Sequence, residues 1–315
     1  MQDWIFENWL SAGDIVMLTA AVRDLHRAYP GQFRTDVRTS APALWAHNPY
    51  LTPLDRKGRR VRSMICHYPL IHRCNTTPYH FIHGFIEYLN DELGLKIKPT
   101  DFKGDIHLSE EEKESPGPVE TALGKRRPYW IIAAGGKYDY TIKWWHRRRW
   151  QEVVNHFQKK LLFVQVGEKG HYHPPLQGVL DLRGKTSLRE LIRLVYHADG
   201  IVCPVTLHMH LAAAVPLPEG RKRLRPCIVI AGGREPAHWE QYPGHYFLHT
   251  IGALECCAKG GCWKSRTVPL GDGSGLDKPN SLCVDVTPKG LPRCMDMISA
   301  HQVCKLIQQS TLGKD

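Results

Sequence analysis

No apolar run in this chain approaches the roughly 20 residues that a membrane-spanning helix needs, so a transmembrane segment is excluded. The first residues lack a charged region followed by an apolar one, so no signal peptide is expected. No internal repeat occurs, and the only biased tract is one linker, which sets aside repeat architectures. Acidic residues run short: 31 Asp and Glu against 42 Lys and Arg leave a net charge of +11. Partners are therefore expected to be anionic: a nucleotide, a phosphorylated glycan, a membrane surface or nucleic acid. Cysteine is not scarce. Of the ten, five fall between Cys256 and Cys294, and in a chain expected to be cytoplasmic that clustering points to metal more than to disulfides. The cluster does not follow CxxC spacing, so it names no familiar zinc motif.

The stretch Tyr129 to Phe157 organises the reading. Tyr129-Trp130-Ile131-Ile132-Ala133-Ala134 is long and apolar enough for a buried parallel strand. Gly135-Gly136 break it, and the loop from Lys137 to Trp145 carries Lys143. Arg147 to Phe157 then reads as a helix with Trp150, Val153, Val154 and Phe157 on one stripe. The loop is neither GxGxxG nor a Walker A box. A strand ending in glycines before a lysine-bearing loop nevertheless brings N–H groups and a cation to a phosphate. An ordinary βα turn with Trp144 and Trp145 in the core fits the same spacing.

At 315 residues the chain suggests two domains. Asp3 to Trp9 can form a first strand. Ser11-Ala12-Gly13-Asp14 then opens a helix with Ile15, Leu18, Val22 and Leu25 at helical spacing. Arg34–Thr39 and Val61–His67 are further strands, and Tyr79–Leu93 is a helix stopped by Gly94. Ser109 to Arg127, with Glu110-Glu111-Glu112, Pro116, Pro118 and Lys125-Arg126-Arg127, reads as a charged linker. Beyond it strands are expected at Leu161–Val166, Val179–Leu182, Ile201–Cys203 and Cys227–Ala231, with helices at Ser187–Tyr196 and Thr206–Val215. This alternation predicts an α/β protein of two doubly wound halves. One would span 1–115 and the other 116–315, with a cleft between the carboxyl ends of their sheets.

Four motifs carry a family resemblance. Gly13-Asp14-Ile15-Val16-Met17-Leu18-Thr19-Ala20-Ala21 resembles the opening of the ADP-heptose heptosyltransferases of glycosyltransferase family 9. Lys143-Trp144-Trp145 is similar to that family's lysine-tryptophan phosphate loop. Thr206-Leu207-His208-Met209-His210 is similar to its nucleotide helix, and Arg293-Cys294-Met295-Asp296 to its closing motif. The resemblance implies the GT-B fold of two Rossmann-like domains, with acceptor bound mainly by the first and donor mainly by the second. It implies an inverting glycosyltransferase that moves a heptose-like sugar from a nucleotide-diphosphate donor, with ADP-heptose the expected one, to a hydroxyl of a glycan or protein. The family usually has an acidic residue before the threonine of the nucleotide helix; here Pro204-Val205 stand there. Two other classes stay open. One is a GT-B nucleotide-sugar hydrolase or epimerase. The other is a non-catalytic carbohydrate- or nucleic-acid-binding module, with nucleic acid the less favoured partner.

The resemblance also assigns residues. Asp14 would be the base, although its place at a helix start equally suits a cap. Lys143 would meet the departing diphosphate, with Gly135, Gly136, Thr206, Leu207, His208, Met209 and His210 beside it and Gly233 and Arg234 bordering the donor pocket. His67, His72, His80 and His83 are candidates for the acceptor side. No cofactor is expected for the chemistry. The cysteine-rich segment 256–294 resembles the autotransporter heptosyltransferase branch, in which cysteines of this part hold iron. A structural iron or zinc held by Cys257, Cys262, Cys283 and Cys294 is expected, with Cys256 able to replace Cys257. Buried free thiols are the competing reading. The chain is expected in the cytoplasm, with the inner-membrane surface as a peripheral location.

Overall fold

The computed structural model describes residues 1–312, the side chains of His72 and Leu312 excepted. Its first part runs through β1 (Gln2–Asn8), α1 (Ala12–Ala28), β2 (Phe33–Thr39), β3 (Val61–Ile65) and α2 (Ile82–Leu93). The three strands form a parallel sheet in the order β2-β1-β3. Ile15, Leu18, Val22 and Leu25 of α1 are all buried, on the stripe their spacing predicts.

The segment from 109 to 127 departs from the expected linker. It folds into α3 (Glu110–Glu114) and α4 (Pro118–Leu123). Ser109 accepts from the Glu112 amide while the Glu112 carboxylate takes the Ser109 amide, a reciprocal cap that starts α3. Pro118 sits in the first turn of α4, where its missing N–H costs nothing, and Gly124 closes that helix in the left-handed region.

The second part comprises β4 (Tyr129–Ile132), α5 (Arg147–His156), β5 (Leu162–Gln165), β6 (Leu180–Asp181), α6 (Leu188–His197), β7 (Gly200–Pro204), α7 (Leu207–Ala214), β8 (Cys227–Gly232), α8 (Ala237–Glu240), β9 (His245–His249), α9 (Arg293–Asp296) and α10 (Ala300–Leu312). Six parallel strands lie in the order β6-β5-β4-β7-β8-β9. Winding starts at β4, goes outward to β6, then reverses across β7 to β9; the crevice at that reversal is where such sheets bind ligands. Arg189 of α6 pairs with Glu112 of α3, which anchors the connecting segment to the second sheet.

One continuous apolar core runs from the first sheet through α1 and α7 to one face of the second. The opposite face of the second sheet packs Trp130, Ile132, Ile228 and Ile230 against Trp150 and Val153 of α5 and Val303 and Ile307 of α10. The molecule is thus an α/β protein of two Rossmann-like units. Among the described residues no helix is long and apolar enough to cross a membrane.

Candidate active site between the two sheets

A cleft of about 760 Å³ lies where the carboxyl ends of both sheets meet. The β1–α1 turn lines one wall with Leu10 to Asp14. Gly135, Gly136, Lys137, Tyr140 and Lys143 after β4 line the other, together with Val205 to His208 and His210 around the start of α7 and Arg234 and Glu235 after β8. Lys137 crosses the gap, donating from Nζ to Ser11 Oγ at 2.9 Å. One position admits no side chain, and a second leaves little room for one. Gly135 has φ +97°, and a Cβ there would stand 1.9 Å from the Tyr172 carbonyl oxygen. A Cβ on Gly13 would meet the His210 ring at 3.0 Å, so glycine lets the starts of α1 and α7 approach each other.

Asp14 is the third residue of α1. Ser11 takes the cap position but makes no side-chain cap bond. The Asp14 carboxylate instead accepts from the backbone of Ser11 and from the phenol of Tyr68, a residue at the carboxyl end of β3. Both readings of Asp14 therefore have a physical basis: it satisfies a helix-start amide and it faces the cleft. Burial raises its pKa above the ordinary 3.8, although the Tyr68 bond and the nearby Lys143 charge pull the other way.

Opposite stands a network of buried charge. Lys143 Nζ lies 2.7 Å from Glu235 Oε1, and Arg234 pairs with the same carboxylate. Burial, and then the Arg234 charge, bring the Lys143 pKa down to about 8. The Arg234 guanidinium sits over the rings of Tyr140 and Trp263, at 4.9 and 5.4 Å. Glu240 faces the same group, and burial raises its pKa. His210 Nδ1 lies 2.6 Å from the Tyr242 hydroxyl, which donates to the Met17 sulfur at 3.1 Å. Burial depresses the pKa of the His210 ring to about 3. His208, bonded to Thr206 Oγ1 at 3.1 Å, is likewise depressed to about 3 by burial.

Of the residues singled out from the sequence, Asp14, Gly135, Gly136, Lys143, Thr206, Leu207, His208, His210 and Arg234 line this one cleft. Met209 and Gly233 do not. The Met209 side chain is fully buried in the core, and its amide is spent on the Thr206 carbonyl at 3.1 Å, leaving nothing for a ligand. Gly233 instead borders the cysteines. His67 is exposed against Tyr88, while His80 and His83 pack on Phe102, all outside the cleft lining. The His72 side chain lies outside the described residues. Tyr68, Tyr140 and Glu240 line the cleft without having been singled out; Glu235 lines it too, from the stretch 232–236 expected to border the donor pocket. Glu235 had a signal, since it follows Arg234 in the Gly-Gly-Arg-Glu-Pro stretch that ends β8. Glu240 sits on a four-residue helix with no periodicity to place it.

The cysteine segment makes a second, small cavity lined by Cys256, Cys262, Cys283 and Cys294 together with Gly233. Cys257 departs from the expected set: its thiol donates to the Thr250 carbonyl at 3.3 Å and is not part of that lining. Burial pushes Cys256 up to about 11 and Cys294 up to about 12, and neighbouring cysteines add to both shifts. Among the described residues no three His, Cys, Asp or Glu side chains are grouped so as to hold a metal ion.

Residues 78–219 match the model of glycosyltransferase family 9 (heptosyltransferase). This match, over less than half of the chain, marks the segment as a glycosyltransferase domain, and the fold of the chain is GT-B. The family 9 glycosyl transferase of Veillonella parvula superposes with a TM-score of 0.64 at 16% identity, covering 99% of this chain and 98% of that one. The dodecameric iron-containing heptosyltransferase TibC, in complex with ADP-D-beta-D-heptose, gives 0.64 at 17%, covering 98% and 76%. The E. coli ADP-heptose LPS heptosyltransferase II gives 0.60 at 15%, covering 99% of both chains. At these identities the shared property is the fold. No curated protein matches the chain.

Proposed function

We propose that the protein transfers a heptose-like sugar, with inversion, from ADP-heptose to a hydroxyl of a glycan or protein acceptor. The observation that carries this reading is the opposition of Asp14 and Lys143 across one cleft, a half-buried carboxylate on one wall and a half-buried ammonium on the other. Asp14 takes the proton of the acceptor hydroxyl as its oxygen bonds to the anomeric carbon. The bond from that carbon to the diphosphate breaks, and its electron pair leaves on the phosphate oxygen toward Lys143 and the start of α7. Attack from one side and departure to the other is in-line displacement, hence inversion. The first part of the chain, 1–115, would then present the acceptor and 116–315 the donor. The reaction would take place in the cytoplasm or at the inner-membrane surface.

A thermal-shift panel of ADP-, UDP- and GDP-sugars tests the donor. ADP-heptose is expected to raise Tm, since a ligand at 100 times its Kd stabilises the folded form by about 2.7 kcal/mol. A shift with UDP- or GDP-sugars and none with ADP-heptose refutes the donor assignment.

The cysteine cavity supports a structural metal as well, iron or zinc, held by Cys262, Cys283 and Cys294 with Cys256 in the place expected for Cys257. The support is the chemistry of the donors, four thiols that line one small cavity and would have to draw together around an ion, and the irregular glycine-rich segment that a metal would order. Protein purified without chelator should carry roughly one metal per chain and lose thermal stability when stripped. Elemental analysis with no stoichiometric metal would leave four free thiols.

A further inference from the structure

We propose that Glu235 is the positioning residue of Lys143: its carboxylate holds the ammonium at the cleft wall and keeps it charged for the donor diphosphate. The inference rests on the reading of Lys143 as a diphosphate contact and adds how that cation is maintained. The Lys143–Glu235 contact is 2.7 Å, with the carboxylate side chain 2% exposed and the lysine 18%. The acid is thus sealed in the wall while the ammonium keeps an open face. Glu235 is fixed in turn by Arg234, whose Nε donates to the Lys264 carbonyl at 2.6 Å and whose guanidinium is stacked on two aromatic rings. Among the described residues Glu235 Oε2 has no hydrogen-bond partner, so the carboxylate is held by the two cations.

Local backbone explains how the acid arrives there. The β7–α7 turn, Pro204-Val205-Thr206, brings no carboxylate to Lys143. The neighbouring strand supplies one: the β8–β9 register shifts between Ile230 and Gly232, an irregularity of the kind that re-aims side chains beside active sites, and Glu235 follows three residues later.

Lys143 needs such a partner. Arg234 opposes its charge, while Glu235, Glu240, Tyr140 and Asp14 favour it, and His210 stands near as a neutral ring. Among the described residues Glu235 is the acid in ion-pair contact. An opposite charge at such range holds the ammonium in its charged form, so removing it lowers the Lys143 pKa. The sign follows directly. ADP binds the charged lysine, so affinity is full below the free-protein pKa and falls as pH rises through it. Without the Glu235 charge that fall begins at lower pH.

The test is ADP affinity by calorimetry from pH 5.5 to 9 for the wild type, Glu235→Gln, Glu235→Asp and Lys143→Ala. Glu235→Gln should match the wild type at the acid end and be about tenfold weaker near pH 8, its fall beginning at least one pH unit earlier. Glu235→Asp keeps the charge but withdraws it by one methylene. It should keep the wild-type onset with weaker affinity throughout, and it serves alone if the Gln variant does not fold. Wild-type onset in Glu235→Gln, or wild-type affinity in Glu235→Asp, overturns the proposal while the donor site stands. ADP affinity unchanged in Lys143→Ala overturns the donor reading itself, and the role of Glu235 with it.

Discussion

Asp14→Asn should lower turnover by about 10²–10⁴, the usual cost of losing a general base, and leave ADP affinity unchanged. The substitution is nearly isosteric, and the amide oxygen can still accept from the Ser11 backbone and the Tyr68 phenol that hold the carboxylate now. Stability should not suffer. Asp14 titrates above 3.8 in the folded protein because it is buried. Its unfolded counterpart therefore gives up its proton first, and ionisation opposes folding at every pH above 3.8. A neutral Asn removes that opposition, which offsets the loss of an anion from the first turn of α1. The pH profile supplies a further check. A base acts when deprotonated, so wild-type kcat/KM should fall toward acid through a pKa above the ordinary aspartate value, and residual activity in the variant should lack that limb. Wild-type turnover on the true acceptor would move the base elsewhere. Glu240 would be the next candidate, since it lines the cleft and His67 does not.

The architecture was legible because a parallel sheet is buried on both faces and writes itself as continuous apolar runs. Tyr129–Ala134, Ile201–Cys203 and Cys227–Ala231 are such runs, and each coincides with a strand of the second sheet to within two residues at either end. The edge strand β9 was not legible: His245-Tyr246-Phe247-Leu248-His249 is half exposed and polar at both ends. Nor was the fold of 109–127. There the acidic run and the prolines suggest a linker, whereas the Ser109–Glu112 cap and Pro118 at a helix start are local devices that act against composition. The cleft was legible in part for a similar reason. Residues just beyond strand ends, such as Asp14 and Lys143, are placed by topology, which the strand pattern reveals. Tyr68, Glu235 and Glu240 reach the same space through a bulge, a short helix and side-chain packing, none of which has a sequence period. Met209 shows the converse: within one helix start, the side chains on either side of it meet the cleft while its own turns into the core.

Lys143→Ala should weaken ADP binding by roughly 10- to 150-fold, the equivalent of the about 1.5–3 kcal/mol of a charge-assisted hydrogen bond. The ammonium faces both the cleft and the buried acids, so its removal acts twice. A diphosphate loses its counter-charge, and Glu235 keeps Arg234 alone beside a cleft that must now accept more negative charge. The loss should therefore be larger for ADP than for adenosine, which carries no phosphate; equal loss for both would mean that the cleft had collapsed. The pH dependence separates charge from shape. Wild-type affinity should fall as pH rises through about 8, where the free lysine gives up its proton, and ADP binding near that pH should draw a proton from the buffer. Lys143→Ala should show neither the fall nor the uptake. A variant that is weak at every pH yet keeps the wild-type proton uptake would assign the titration to another group, of which Glu240, raised by burial on the same wall, is the nearest in the network.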